Sequence, residues 1–492
     1  MTIPFRSIPA NLRVPLFYAE IDNSQANSAQ VVQRSLIISQ KLSSGVAVPN
    51  VPIISQGVGD AAAQGGYGSM LHLMTASYRE VDSFGEVWYL PLDDNAGGTA
   101  ATGSIVVTGA PTQPGVLSLY IAGQLVSVSL AGNETTAQTA TAISAAINAQ
   151  GLLPLTSTVA SSTVSLTARH KGLTGNDIDL RINYGGAAAG EATPIGLTLT
   201  LNAMSGGLLN PVLTTALANL ASSAFDFVIC PYTDTTSLNA LKSLMNDQTG
   251  RWSWQQQIYG HVFAAIRGTF GTLTTFGASQ NNQHQSVLGF NDSPSPVWSW
   301  AAALGAAAAA SIRVDPGVPL QTLALAGILP PPIQSQFTLA QRNALLYTGV
   351  STFSVQAGGV VALENVITSY LTNAFGQPDD SYLEVETMFV LMAVVRFLST
   401  RVTSRFGRRK LASNGTRILP GSNTVTPNII RADQISAFQE LEALGLVQNS
   451  DAFAAEVIVE QNAQNPNRVD VLWPGTLINQ LRIFALLAQF RL

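Results

Sequence analysis

The stretch that decides the fold is Phe225-Asp-Phe-Val-Ile-Cys-Pro-Tyr232, a short and almost wholly apolar run followed by helical spacing from Thr235 to Asp247. The same unit repeats downstream. Gly260-His-Val-Phe-Ala-Ala-Ile266 precedes a predicted helix around Leu273 to Asn281, and Ser286-Val-Leu-Gly-Phe290 precedes one from Trp298 to Ala310, set off by Pro294 and Pro296. Upstream, Ser35-Leu-Ile-Ile-Ser39 reads as a fourth strand. Strands that are apolar throughout, rather than alternating, are covered on both faces, and alternation with helices implies a parallel sheet.

Between about Gly97 and Gly207 the texture changes. Only seven charged residues occur from Thr99 to Gly207, and apolar residues alternate with Ser or Thr, as in Leu117-Ser-Leu-Tyr-Ile121 and Leu125-Val-Ser-Val-Ser-Leu130. Gly123-Gln124 between those two runs is a hairpin signal. Glu134 to Ala149 is predicted helical, with Ala140, Ile143 and Ile147 on one face and Asn133 as N-cap. Further strands are predicted at Val159–Ala168, Ile178–Tyr184 and Ile195–Leu201. The segment is expected to be a β-rich domain inserted into an α/β one, with Gly97-Gly98 and Gly206-Gly207 as hinges.

After Asp380 the chain turns helical. Tyr382 to about Phe406 is predicted as one long amphipathic helix, with Leu391, Val395, Leu398, Val402 and Phe406 forming its apolar stripe. Ala432 to Leu444 is a second helix, closed by Gly445 at C′. The last stretch, Leu477–Leu492, stays open between two readings: Leu481, Ile483, Ala485 and Leu487 suit one face of a strand, whereas Leu477, Leu481 and Phe484 suit a helix.

Composition narrows the function classes. The 492 residues suggest roughly three domains at about 150 residues each. Lys and Arg number 24 against 29 Asp and Glu, a net charge of −5, too balanced to coat nucleic acid or a membrane by charge alone. Charged residues make up 11%, where about 25% is usual, so the chain is expected to hide much of its surface against copies of itself. A single cysteine, Cys230, excludes an internal disulfide framework and fits assembly in a reducing cytoplasm. The opening MTIPFRSIPANLRVP has no uninterrupted apolar run, so no secretory signal is expected. Val297 to Ile312 is the longest apolar stretch, but it is alanine-rich, short of the ~20 residues of a span and broken by Ser299, Gly305 and Ser311; a buried helix is expected.

Signals for catalysis are weak. None of the four lysines follows a glycine, so no phosphate loop of the Walker type is present. Gly57-Val-Gly59-Asp-Ala-Ala62 imitates a dinucleotide fingerprint but follows a proline-containing segment rather than a clear strand. His72, His170, His261 and His284 show no metal-binding spacing, and no GxSxG elbow exists. Gly175-Asn-Asp177-Ile-Asp179 reads as a turn leading into a strand rather than a calcium repeat. No catalytic, cofactor-binding or metal-binding residue is assigned. The one distinctive charge feature is basic: from Thr387 to Ala432 there are eight arginines and lysines and no acid. Arg401, Arg405 and Arg408 fall at i, i+4 and i+7, and with Arg409 and Lys410 they form a candidate docking surface for phosphate or for an acidic protein face.

The motifs, taken in order, resemble a family. Ile8-Pro-Ala-Asn-Leu-Arg-Val-Pro-Leu-Phe-Tyr-Ala-Glu-Ile-Asp-Asn23, Tyr67-Gly-Ser-Met-Leu-His-Leu-Met74 and Glu86-Val-Trp-Tyr-Leu-Pro-Leu92 open the match. Asp315-Pro-Gly-Val-Pro-Leu320, Glu364-Asn-Val-Ile-Thr-Ser-Tyr370, Thr426-Pro-Asn-Ile-Ile430, Asn465-Pro-Asn-Arg-Val-Asp-Val-Leu472 and Gln489-Phe-Arg-Leu492 continue it. Over nearly its whole length the chain resembles the contractile tail sheath proteins of bacteriophages, in their Mu-like branch. Glu364-Asn365 departs from the Glu-Arg that many sheaths carry, which puts one inter-subunit ion pair in doubt.

The resemblance implies a non-enzymatic structural subunit that stacks as helical rings around a tail tube and contracts to drive the tube through the host envelope. The implied partners are further copies of the chain, the tail tube protein, and baseplate and tail terminator proteins, with no direct nucleic acid and no membrane insertion. It also implies a place in the virion tail, assembled in the host cytoplasm. The sheath of an R-type bacteriocin or a secretion apparatus is the alternative, and a soluble α/β hydrolase a more distant one. The implied organisation is an N-terminal arm (1–30), an α/β core in two parts (31–96 and 208–375), an outer β-rich insertion (97–207), a tube-facing helical domain (376–475) and a C-terminal arm (476–492). Strand exchange would keep copies attached while rigid bodies move. Its candidate residues are Phe17, Ala19 and Ile21 in the first arm and Leu481, Ile483, Ala485, Leu487 and Phe490 in the last, where the resemblance favours the strand reading. The basic helix is then the implied contact with the tube.

Overall fold

A computed structural model describes residues 33–419 and 421–491. Its centre is a six-stranded sheet in the order Gln285–Phe290, His261–Arg267, Phe227–Ile229, Ser35–Gln40, Val87–Leu92, Ile53–Ile54. The first five strands are parallel and the last is antiparallel. Ser35–Gln40 lies in the middle, with Leu36 opposite Val228 on one side and Trp88 on the other, and every one of its residues is buried. The run at Phe225 implies a parallel sheet, and five of the six strands are parallel; the antiparallel Ile53–Ile54 edge makes the sheet mixed, and the Phe225 strand itself shortens to three residues.

Helices Met70–Val81 and Val297–Val314 lie side by side on the face that carries Ser35 and Ile229. The second is the alanine-rich stretch. It is long and apolar enough to cross a bilayer but is largely buried in the protein, as expected of a core helix. Small side chains bring it close to the sheet: a Cβ on Gly305 would stand 2.3 Å from Cγ1 of Ile229. Met70–Val81 starts at Ser69, whose hydroxyl accepts the His72 N–H, and ends at Asp82. Asp82 pairs with Arg313 of the neighbouring helix and accepts from the Tyr78 hydroxyl at 2.7 Å. Burial pushes the Asp82 carboxyl up, but Tyr78 and Arg313 more than offset this and leave its pKa lowered.

The low-charge segment forms two sheets of its own. Thr198–Ser205, Ala100–Gly109, Thr163–Lys171 and Leu155–Ala160 make one, and Gln124–Leu130, Gly115–Ile121 and Leu180–Ile182 the other, all antiparallel. Helix Thr136–Ala149 buries Ala140, Ile143 and Ile147. Its N-cap is Thr135, in a capping box with Gln138, rather than Asn133: Glu134 instead binds the N–H groups of Ala131, Gly132 and Asn133. The single strand expected at Val159–Ala168 is a hairpin that turns at Ser161, whose φ is 55°, a turn without the usual glycine or proline.

The junction of this segment is pinned. Thr99 and Leu208 bridge where the chain enters and leaves, and Asp94 accepts from Gln40, from the Lys171 N–H and, at 3.0 Å, pairs with His170. Arg267 meets Asp177, and Arg181 meets Asp292. The two glycine pairs read as hinges therefore sit among cross-links.

Past residue 380 the long helix is Val385–Phe406, followed by Pro427–Ala443 and Ser450–Glu456. It belongs to two cores at once. Phe389 stacks on Phe227 and Phe263 of the central sheet, whereas Val390 and Val394 join Phe438, Leu441, Phe453 and Val459 in a second, smaller core. Short two-stranded ladders complete this region: Lys410–Leu411 with Thr424–Val425, Ile458–Gln461 with Val469–Leu472, and Val447–Gln448 with Thr476–Leu477.

Candidate assembly surfaces

The C-terminal tail is the clearest unpartnered element. Its last backbone ties are the ladder Val447–Leu477 and the bond from the Ile478 N–H to the Leu446 carbonyl at 3.1 Å. Arg482 then turns inward and donates to Glu384 at 2.7 Å and to Glu386 at 2.6 Å. Beyond it, residues 483–491 form no helix and no strand, and among the described residues none bonds to the rest of the chain. Ile483, Phe484, Leu486, Leu487 and Phe490 are each 77–85% exposed. Leu481, Ile483, Ala485, Leu487 and Phe490 thus share one solvent-facing segment that is neither helix nor strand, so the protomer itself adopts neither reading of the tail. Phe17, Ala19 and Ile21 lie outside the described residues.

An apolar groove of about 430 Å³ opens on the same C-terminal region. Leu398, Val402 and Phe406 of the long helix form one wall; Val469, Val471 and Trp473 form the other. Among the described residues the strand Val469–Leu472 pairs only with Ile458–Gln461, which leaves the outer edge of this two-stranded ladder open there.

The basic cluster divides in a way that spacing did not reveal. Arg401 is not on a docking surface: it is 7% exposed and is held by Asp433 and Glu440. Burial alone would lower its pKa, but Glu440 and Asp433 outweigh it and leave the pKa raised. Arg405, half exposed, shares Asp433, and Arg396 is committed to the buried Asp226 at 2.6 Å. The partners come from the next helix and from Asp226, just before the strand Phe227–Ile229, so the absence of acids between Thr387 and Ala432 gave no hint of them. The long helix ends at Phe406, so Arg408 does not continue its face. Arg408, Arg409, Lys410 and Arg417 are exposed, with Arg409 held by Asn423 at 2.8 Å.

Other singled-out residues have structural duties. Glu364 pairs with Arg342 at 2.8 Å and accepts from Thr352, so its carboxylate is engaged within the protomer. Gly57–Ala62 runs into helix Val58–Gly65 and contributes no phosphate cradle beside a parallel strand end. Leu173–Asp177 is a short 3₁₀ turn. Among the described residues, the base-and-nucleophile-like pair His261 and Ser286, at 2.9 Å, lies in the central sheet with both side chains at 0% exposure. Among the described residues, no group of three His, Cys, Asp or Glu side chains is placed to hold a metal.

Comparisons with known proteins give the frame for these surfaces. A model of the phage tail sheath protein central domain matches residues 206–369, and one of the phage tail sheath C-terminal domain matches residues 377–491. The chain is 40% identical over 492 residues to the Mu-like prophage FluMu tail sheath protein of Haemophilus influenzae, covering 100% of both. Among solved structures, the sheath tail protein Lin1278 from Listeria innocua is 12% identical with a TM-score of 0.47, over 91% of this chain and 92% of that one. A chain of the contracted anti-feeding prophage baseplate is 12% identical with a TM-score of 0.46, over 98% of this chain and 100% of that one. The family matches and the full-length relative together settle the assignment: the chain belongs to the phage tail sheath protein family, in its Mu-like branch, as a structural subunit of a contractile tail sheath.

Proposed function

We propose that this subunit polymerises as helical rings around a tail tube, in the host cytoplasm, and contracts on a baseplate signal to drive the tube through the host envelope. The copies stay joined through exchanged terminal arms, and no catalytic step is involved. The observation that carries this reading is the tail: five large apolar side chains held in water on a segment in no helix or strand, with no partner among the described residues of its own protomer. Burying each releases roughly 1.5–3 kcal/mol, so a neighbour's sheet edge is a strong sink for the segment. The groove between Leu398 and Trp473, beside the open edge of Val469–Leu472, is the acceptor in the next copy, taking the tail as an added strand.

The tube contact is the exposed group Arg408, Arg409, Lys410 and Arg417, facing an acidic surface. Exposed charges attract without demanding close shape match and weaken with salt, which suits a contact that is released on contraction. The segment 97–207 lies on the outside of the polymer and 376–475 toward the tube. Baseplate and tail terminator proteins cap the two ends.

Expression of the chain alone, imaged by negative stain, tests the reading. Hollow or striated tubules of megadalton mass are expected. A monodisperse particle of protomer size at all concentrations would overturn it.

A further inference from the structure

The tail leaves the protomer through an ionic clamp. Glu384 is the N-cap of helix Val385–Phe406 and Glu386 lies in its first turn, so both carboxylates face the positive end of the helix. Glu386 is fully buried; one of its oxygens accepts the Leu320 N–H and the other accepts from Arg482. The same Nη2 of Arg482 also reaches Glu384. Gln321 steadies the backbone just before, donating to the Leu481 carbonyl at 3.4 Å. Withdrawing Arg482 would leave a buried carboxylate without its counter-charge, so the arginine stays while the residues after it move freely.

We propose that Arg482 is a positioning residue for assembly: clamped between Glu384 and Glu386, it fixes the root of the exchanging arm and makes residues 483–492 a tether of set length. This rests on the arm-exchange reading above and adds a constraint to it. The ten residues after Arg482 span at most roughly 35 Å when extended, so the acceptor on the neighbour lies within that reach of the clamp. Without the clamp only the single Gln321 bond to the Leu481 carbonyl holds the chain beyond Ile478, the last backbone–backbone tie, and once it yields the tether gains four residues, roughly 13 Å. A peg held by charge resists pull along the arm yet lets the chain pivot about it, which a tether crossing a moving lattice requires.

The test compares tubule formation by five chains with that of the full chain: one ending at Arg482, Arg482→Gln, Arg482→Lys, the double variant Glu386→Gln/Arg482→Gln, and one with Gly-Ser-Gly-Ser inserted after Arg482. The double variant removes both charges and keeps a hydrogen-bonding pair, so its melting temperature is expected within a few degrees of the original. It and the insertion variant should each need at least tenfold more protein to form tubules, and Arg482→Lys, which keeps the charge, should return to within about threefold. If either the double variant or the insertion assembles at the original concentration while the chain ending at Arg482 does not, the clamp is overturned and arm exchange stands. If the chain ending at Arg482 still assembles, arm exchange itself fails.

Discussion

Ser35–Gln40 and the tail segment 483–490 are both short apolar runs, and they meet opposite fates. Every residue of the first is buried between two parallel neighbours, while the large side chains of the second stand almost entirely in water. The difference is not composition but supply. Ser35–Gln40 has a hydrogen-bonded neighbour on each side and helices to cover it, whereas the tail passes its protomer's ladders at Arg482 and pairs with none of them among the described residues. On the arm-exchange reading such a segment directs assembly, because an exposed apolar run can find backbone partners on another molecule.

Removing 483–492 breaks the comparison most severely. Tubules should disappear, a loss of at least a hundredfold in assembly at fixed protein concentration, while circular dichroism and the melting temperature of the protomer stay unchanged, since no described contact within the protomer is lost. Phe389→Ala acts on the other member of the pair. It empties the stack on Phe227 and Phe263 that joins the long helix to the sheet, and should cost about 3–5 kcal/mol in denaturant unfolding.

Smaller effects sharpen the division of the basic cluster. Arg401→Ala leaves Asp433 buried beside a half-exposed Arg405, and should destabilise the C-terminal region by roughly 3 kcal/mol. Arg409→Glu with Lys410→Glu should change stability by no more than about 0.5 kcal/mol yet weaken co-sedimentation with isolated tail tubes, most visibly at low salt. The body also carries its own pH signature. The native Asp82 pKa is lowered, so the stability it contributes is present above the ordinary aspartate value near 3.8 and is lost as pH falls through that value and below. Acid titration of Asp82→Asn should lack that component.

How much of this could be read from residues alone follows from where the determinants lie. The parallel strands were legible because burial on both faces gives each an unbroken apolar run, as at Val262–Ile266 within His261–Arg267 and Val287–Phe290 within Gln285–Phe290. The hairpin at Ser161 was not, because its turn uses a non-glycine residue at positive φ. The basic surface was legible as charge but not as geometry: Arg401, Arg405 and Arg408 share a spacing, yet partners from another helix claim the first two and the helix stops before the third. The tail was ambiguous for a physical reason. Its period cannot favour helix or strand while the surface that would select one belongs to another molecule. The clamp at Arg482 was missed because its acids lie some hundred residues away, at the start of the long helix.

The account stands on the tail leaving its own protomer, and a density map of an assembled sheath tests that most directly. It predicts residues 483–490 as a strand paired to the ladder of a neighbouring copy, with Arg482 still seated between Glu384 and Glu386. Density that folds those residues back onto the protomer that carries them would contradict it.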